Sequence, residues 1–248
     1  MAVFGTAHRR LLDGAVSDAR RLVELPPQEE GTGGGRSSPS CQAASRSAVV
    51  LICASWETFC GELAAEALNH LASHAPHSAA LPKEVKKTLR ESLLDTGSEL
   101  AVWDLADDGW RAVLRTRAAW LTRCDRSLRT VKPPQVKEFF RRNLGIVDIT
   151  AAWLSDQSDQ QRTVRLLDDF VALGSDIAHG RARVPGVSGQ ARDGLELIRR
   201  LAEKTAEYAS DHLRAHTGAA LPEFGPPPAE PGEAAARAEP GPGGAAAA

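Results

Sequence analysis

The sequence predicts an all-α fold: a helical bundle with inserted short helices and a disordered C-terminal tail. Three observations predict it. Apolar residues recur at helical spacing through most of the chain. No segment alternates apolar and polar residues as a half-buried strand does, and no internal repeat is present. Proline pairs and Gly/Ser runs stand between the periodic segments.

Val3 to Leu25 reads as a first helix, with Phe4, Leu11, Leu12, Val16, Ala19, Leu22 and Val23 on one stripe. Pro26-Pro27 stops it, because proline has no amide to give a helix interior. Gly31 to Ser40 is a loop too polar to pack. Ala43 to Ala75 is the most apolar helix. Its Val49, Ile52, Trp56, Phe59, Leu63, Leu68 and Leu71 cover more than one side, as the central helix of a bundle requires.

Leu81-Pro82 starts another helix, with Pro82 near its first turn, running to about Leu94. Asp95-Thr96-Gly97-Ser98 is a break. Ser98 to Cys124 makes one or two helices, with Gly109 as the dividing residue. Pro133-Pro134 opens a short helix through Asn143, ended by Gly145. Asp148 to Leu154 makes one or two turns with Trp153 inward. Asp159 caps a helix that runs to His179, and the last helix runs from about Ser188 to His216. From Leu221 onward Pro, Gly, Ala and Glu dominate and too few apolar residues remain to offset ordering entropy. The expected organisation is one domain over residues 1–220, with a loop at about 26–40, and a tail over 221–248.

The formal net charge of the 248 residues is −2. The tail carries Glu223, Glu230, Glu233 and Glu239 against Arg237, a charge of −3, which leaves +1 for the rest. Any basic footprint must therefore be local. No apolar run of membrane-spanning length and no signal peptide is read, so a cytoplasmic protein without membrane contact is expected. Cys41, Cys53, Cys60 and Cys124 form no CxxC, which points to free thiols rather than a zinc site.

The segment Leu173-Gly174-Ser175-Asp176-Ile177-Ala178-His179-Gly180 holds the candidate site, followed by Arg181 and Arg183. Imidazole titrates near neutral pH and guanidinium holds phosphate oxygens, so His179 beside arginines suits metal-free RNA cleavage. The same residues also suit a helix end, with Gly180 as cap and the basic side chains complementing the carbonyl end of the dipole.

Other candidates carry a bland reading beside the functional one. Trp56, Trp103, Trp120 and Trp153 fall on apolar stripes and are expected in the core rather than as base-stacking platforms; Trp110, beside Arg111, fits that pattern less well. Glu57 reads as an exposed helix carboxylate or as a buried partner for an arginine. The arginines from Arg111 to Arg129 either track an RNA backbone or form a solvated face with Asp104, Asp107, Asp108 and Asp125. His70, His74 and His77 have metal-compatible spacing, but Pro76 breaks the helix before His77, which favours a surface helix end.

Three separated segments resemble one family. Ala54-Ser55-Trp56-Glu57-Thr58-Phe59 resembles the "(A)xWExF" segment of the RiboL-PSP-HEPN / MAE-type HEPN nucleases. Phe139-Phe140-Arg141-Arg142-Asn143-Leu144-Gly145-Ile146, with Asp148-Ile149 and Trp153, resembles their "F…LGI.DI…W" region. Leu167 to Gly180 resembles their closing "L…LVxRRNxIAHG". Order and spacing agree across roughly Arg46 to Tyr208.

The resemblance implies a HEPN four-helix core, a homodimer, and a metal-independent endoribonuclease of toxin–antitoxin or phage-defence type. It implies RNA as substrate, an antitoxin or other protein as partner, no cofactor and no metal. Arginine of the family's Arg-x(4–6)-His motif binds the scissile phosphate, and the histidine moves a proton to or from the 2′-hydroxyl or the leaving oxygen, leaving a 2′,3′-cyclic phosphate. Carried over, His179 matches the motif histidine, Ser175 stands where asparagine is usual, and Gly174 stands where the arginine is expected. The nearest upstream arginine, Arg165, lies fourteen positions before His179, outside the motif spacing. Two expectations follow. In one, His179 is the acid/base, Ser175 and Asp176 orient it, and Arg181 and Arg183 hold phosphate. In the other, the site is inactive and the fold serves dimerisation, RNA binding or protein binding.

Overall fold

The computed structural model of the chain describes residues 3–24, 39–95, 99–123, 131–153, 157–181, 187–221 and 223–224. The described elements, in chain order, begin with β1 (Val3–Phe4), α1 (Gly5–Leu11), a π-helical turn (Leu12–Val16), α2 (Ser17–Val23) and α3 (Pro39–His74). Then come a 3-10 turn (Ser78–Ala80), α4 (Lys83–Leu94), a 3-10 segment (Glu99–Leu105), α5 (Gly109–Arg123) and α6 (Pro133–Leu144). A 3-10 segment (Ile149–Trp153), α7 (Gln157–Ala178), α8 (Val187–Thr217) and β2 (Glu223–Phe224) complete the order. The all-α class holds; among the described residues the one exception is the two-residue antiparallel ladder of β1 on β2.

Helix α3 is the axis. It is apolar on all sides, and α1, α2, α5, α6, α7 and α8 pack around it. Trp56, Phe59, Leu63, Leu68 and Leu71 are fully buried, and alanines at 48, 64, 67 and 72 let neighbouring helices come close. By length and composition alone α3 is apolar enough to cross a membrane, contrary to the sequence expectation, and 56% of that window is buried inside the bundle. Its apolar surface is thus largely occupied by the rest of the chain.

Helix α3 begins at Pro39, four residues before the expected Ala43, so Pro39 and Ser40 belong to the helix rather than to the loop. The other elements start and stop close to where proline and glycine foretell, with four differences. The expected first helix is interrupted by the π turn. Ala7, His8 and Leu11 are buried before it, Val16 at its end, and Ala19 and Val23 after it. The gap from Leu11 to Val16 is one residue longer than an α-helical turn allows, and the π turn absorbs that residue and keeps one face inward. Helix α7 begins at Gln157, so Asp159 lies in its first turn rather than at its cap. The tail does not begin at Leu221: that side chain is buried, its N–H donates to Ser210 Oγ at 3.1 Å, and Glu223–Phe224 pairs with Phe4–Val3. The physical reason is that Leu221 and Phe224 are apolar residues at the edge of a polar run. The remaining tail residues, 225–248, lie outside the described residues.

The fourth difference concerns tryptophans. Trp56 and Trp153 are buried as expected, and Trp110 is as well. Trp103 is 75% exposed and Trp120 41% exposed, against the expectation that both lie in the core. The 3-10 geometry around Trp103 rotates it off the stripe that an α-helix would have made. Arg117 covers the Trp120 ring at 4.3 Å instead of the protein interior.

Histidines tie the far end of the bundle together. His212 Nε2 hydrogen-bonds the Leu144 carbonyl (2.9 Å), His216 Nδ1 the Ala80 carbonyl (2.9 Å), and His70 Nε2 the Ala219 carbonyl (2.9 Å). These contacts give His70 and His74 a structural role, and among the described residues no cluster of metal-ligating side chains forms. Burial lowers the pKa of His212, with His216 adding to the effect and the Leu144 hydrogen bond opposing it. Burial likewise lowers that of His70, with His74 adding and the Ala219 hydrogen bond and Glu66 opposing. A histidine with a lowered folded pKa binds its proton more readily in the unfolded chain. Stability is therefore full above the ordinary histidine value of about 6.5 and falls as pH drops below it. Urea unfolding midpoints are expected to fall between about pH 7 and pH 5, before carboxylates titrate, and to fall less in His212→Gln. Equal midpoints at the two pH values, or an equally steep fall in the variant, refute this account.

Candidate functional site at the end of helix α7

Helix α7 buries Leu167, Phe170, Val171 and Gly174, a three-and-four spacing that fixes one face inward. Along this face the contacts on α3 move from Cys53, whose Sγ lies 3.8 Å from the Phe170 carbonyl, toward Val49 beside Gly174. The two helices thus run antiparallel. The opposite edge of α7 carries Ser175 and His179, both exposed and one turn apart.

The helix ends in a Schellman arrangement. Gly180 takes φ +68°, the left-handed conformation that a side chain disfavours. Its N–H donates to the Ile177 carbonyl (3.0 Å), and the Arg181 N–H donates to the Asp176 carbonyl (2.8 Å). The helix-cap reading of Gly180 is what the geometry supplies. The His179 N–H donates to the Ser175 carbonyl at 3.0 Å, so His179 is the last residue tied into the helical ladder.

The site residues are near one another in sequence but not knitted together. Asp176 is half-buried, and Arg181 is exposed beyond the turn. Among the described residues, no side-chain hydrogen bond or ion pair joins Ser175, Asp176, His179 and Arg181. Arg183 lies outside the described residues. Arg165 sits fourteen residues back along α7, about 21 Å at the α-helical rise, too far to reach a group held at His179.

Gly174 is where the structure adds most. A Cβ built there lies 2.5 Å from Cys53 Sγ and 3.4 Å from Cys53 Cβ. Position 174 is therefore a helix–helix contact point that closes against α3, with no space for a longer side chain in this packing. Burial pushes the Cys53 thiol up to about 12, so it is a neutral packing group at physiological pH.

The three segments that carried the resemblance converge in one core. Trp56 stacks on Phe59 at 5.5 Å and meets Trp153 edge-on at 6.2 Å. Trp153 Nε1 donates to Thr205 Oγ1 at 2.9 Å, and Cys53, the residue before the first segment, touches Phe170 and Gly174 on the third. Glu57 is half-buried, and burial raises its carboxyl pKa. It lines a groove with Ala54, Thr58, Gly61, Leu121 and Phe139, on the α5–α6 side of α3.

The basic stretch is partly committed to structure. Arg111 donates to the Ala72 carbonyl (2.8 Å) and to Asp108 (3.0 Å), and Arg117 donates to Asn143 Oδ1 (3.0 Å). Arg115 and Arg123 are exposed, while Arg126 and Arg129 lie outside the described residues. Compared with known proteins, the chain matches no family model, no curated protein and no solved structure.

The contact at Gly174 is testable as a pair. Gly174→Ala is expected to lower stability by about 1–3 kcal/mol through overpacking, although alanine ordinarily favours a helix interior by about 1 kcal/mol. Cys53→Ala in the same chain is expected to restore part of that loss, read as a coupling of at least about 0.5 kcal/mol in urea unfolding. Additive effects of the two substitutions refute the contact.

Proposed function

We propose that the chain is a HEPN-type helical domain, of the toxin or phage-defence kind, that no longer cleaves RNA at the end of α7 and serves instead as a binding module. The observation that carries this reading is Gly174. The family's phosphate-binding arginine is replaced by a residue whose Cβ space is taken by Cys53, so the packing leaves the guanidinium without a place. A guanidinium stabilises charge that builds on the scissile phosphate, and glycine supplies none. The order of the three resembling segments, the contact of the first two at Trp56 and Trp153, and the packing of the third on α3 at Cys53 support the HEPN part of the reading. A homodimer and an RNA or protein partner belong to the same proposal.

A second reading keeps the chemistry. His179, Ser175 and Arg181 are all exposed, which favours a site that assembles on its substrate. There His179 moves the proton, Ser175 and Asp176 orient it, and Arg181 with Arg183 holds phosphate.

One experiment separates them. The purified chain is incubated with a mixed RNA pool in EDTA, with His179→Ala alongside, and product ends are mapped. The proposal expects no cleavage above that of the variant. Cleavage that depends on His179 and leaves 2′,3′-cyclic phosphate ends overturns it and establishes the second reading.

A further inference from the structure

Among the described residues, the 3-10 segment Glu99–Leu105 presents the most exposed large apolar side chains apart from Val147. Leu100 is 73% exposed and Trp103 75% exposed. In a 3-10 helix, side chains three apart eclipse, so these two stand on one face, about 6 Å apart along the axis. Val102 of the same segment and Leu94 at the end of α4 are each 37% exposed as well. Single exposed apolar residues are ordinary, whereas a tryptophan and a leucine aligned on one face form a patch.

The patch is held in place. Leu105 packs against the core, and both α4 and α5 contact the segment. The Ala106 N–H donates to the Trp103 carbonyl (2.9 Å), and the Gly109 N–H donates to the Ala106 carbonyl (2.8 Å). Asp107 adopts φ +48°, a left-handed conformation that side chains disfavour. The Asp104 carbonyl oxygen lies 2.1 Å from where a Gly109 Cβ would stand, so the turn closes only over a glycine. A close backbone approach thus shapes the turn that joins this segment to α5.

Charge defines what fits. From Asp95 to Asp108 the chain carries Asp95, Glu99, Asp104, Asp107 and Asp108 and no Lys, Arg or His. Asp95, Asp104, Asp107 and Asp108 are exposed. Arg111 pairs with Asp108 at 3.0 Å; among the described residues no ion pair takes up Asp95, Asp104 or Asp107. Asp104 and Asp107, near Trp103 in the chain, give this face a local acidic edge, while the exposed face of α4 before Leu94 carries Lys87 and Arg90; the acidic edge attracts cationic protein surfaces.

We propose that the face carrying Leu100 and Trp103, with its acidic edge, docks a basic amphipathic helix of a partner protein. The spacing of the two side chains, about 6 Å, is close to the 5.4 Å pitch of an α-helix, so they insert between successive turns of its apolar stripe. Lysines or arginines flanking that stripe meet the carboxylates of that edge. Trp103 is the anchor, as tryptophan commonly is at such interfaces. This surface uses no residue at the end of α7, so its failure leaves the reading of His179 untouched.

The test uses the full chain and a fluorescein-labelled synthetic peptide in which leucine and lysine form an amphipathic helix. A leucine–glutamate peptide of the same apolar pattern is the control, and binding is read by anisotropy. The leucine–lysine peptide is expected to bind, and Trp103→Ala to weaken it by about tenfold or more with unchanged circular dichroism. Asp104→Asn with Asp107→Asn is expected to weaken binding several-fold at low salt and to flatten its salt dependence. Absence of binding, equal binding of the two peptides, or unchanged binding by Trp103→Ala overturns the proposal. Self-association of the chain that is lost in Trp103→Ala also overturns it, by assigning the face to a second copy.

Discussion

The rest of the structure depends on how closely α7 lies against α3 and α8. Two glycines permit it. Gly174 lets Cys53 of α3 approach the α7 backbone, and Gly194 of α8 leaves the space that the Phe170 ring fills, 2.0 Å from where its Cβ would be. Phe170 is thereby fixed on both sides, its carbonyl accepting from the Cys53 thiol and its ring over α8. A backbone held this close tolerates no added atoms on its inner face, because interiors are packed near crystal density. The chemistry of α7 is therefore confined to its outer edge, where Ser175 and His179 lie. On a regular helix Gly174 and His179, five residues apart, point about 140° away from each other. A side chain at 174 and the ring at 179 serve different surfaces, one the core and the other solvent.

The same contact explains why the resembling segments sit together without making a site of their own. Trp56, Phe59 and Trp153 form an aromatic joint between α3 and the Ile149–Trp153 turn, and the indole N–H of Trp153 reaches Thr205 of α8. Aromatic groups bury large areas with defined geometry, so a joint of this kind fixes helix order more firmly than aliphatic packing alone. The residues that make the sequence recognisable are thus largely the ones that build the core. The residues that would make it catalytic lie at an exposed helix end. Core and candidate chemistry are thus separable in this chain, since a fold does not by itself carry an activity.

Much of the architecture was legible because helices announce their ends. Pro82 and Pro133 mark the starts of helices, Gly145 and Gly180 close them, and α3 stands out by apolarity alone. His179 was placed at a helix end, and it is at one. What was not legible depends on partners distant in sequence. The π turn at Leu12–Val16 follows from which residues α3 accepts, not from the local pattern. Nothing near Gly174 in sequence identifies Cys53 as its neighbour, so an absent arginine read as a loss of charge rather than as a packing requirement. Trp103 was misread because periodicity assumes 3.6 residues per turn, and a 3-10 segment does not keep that period. Leu221 and Phe224 were assigned to the tail because composition averages over a boundary that two apolar residues can move.

The distribution of committed and uncommitted charge then bears on what this surface can bind. The arginine-rich stretch suggested a path for a phosphate backbone, yet Arg111 donates to the Ala72 carbonyl and Asp108, and Arg117 donates to Asn143 while covering Trp120. A guanidinium already hydrogen-bonded and stacked must break those contacts before it neutralises a phosphate, which subtracts from the gain that counterion release provides. Asp104 and Asp107 face the opposite situation: they are exposed and near Trp103 in the chain. Of the arginines described in the basic stretch, Arg111 and Arg117 are committed while Arg115 and Arg123 are exposed, and α4 adds exposed Lys87 and Arg90. The α4–α5 side thus presents charge of both signs, and its acidic character is local to the carboxylates beside Trp103, where a cationic protein surface finds its complement.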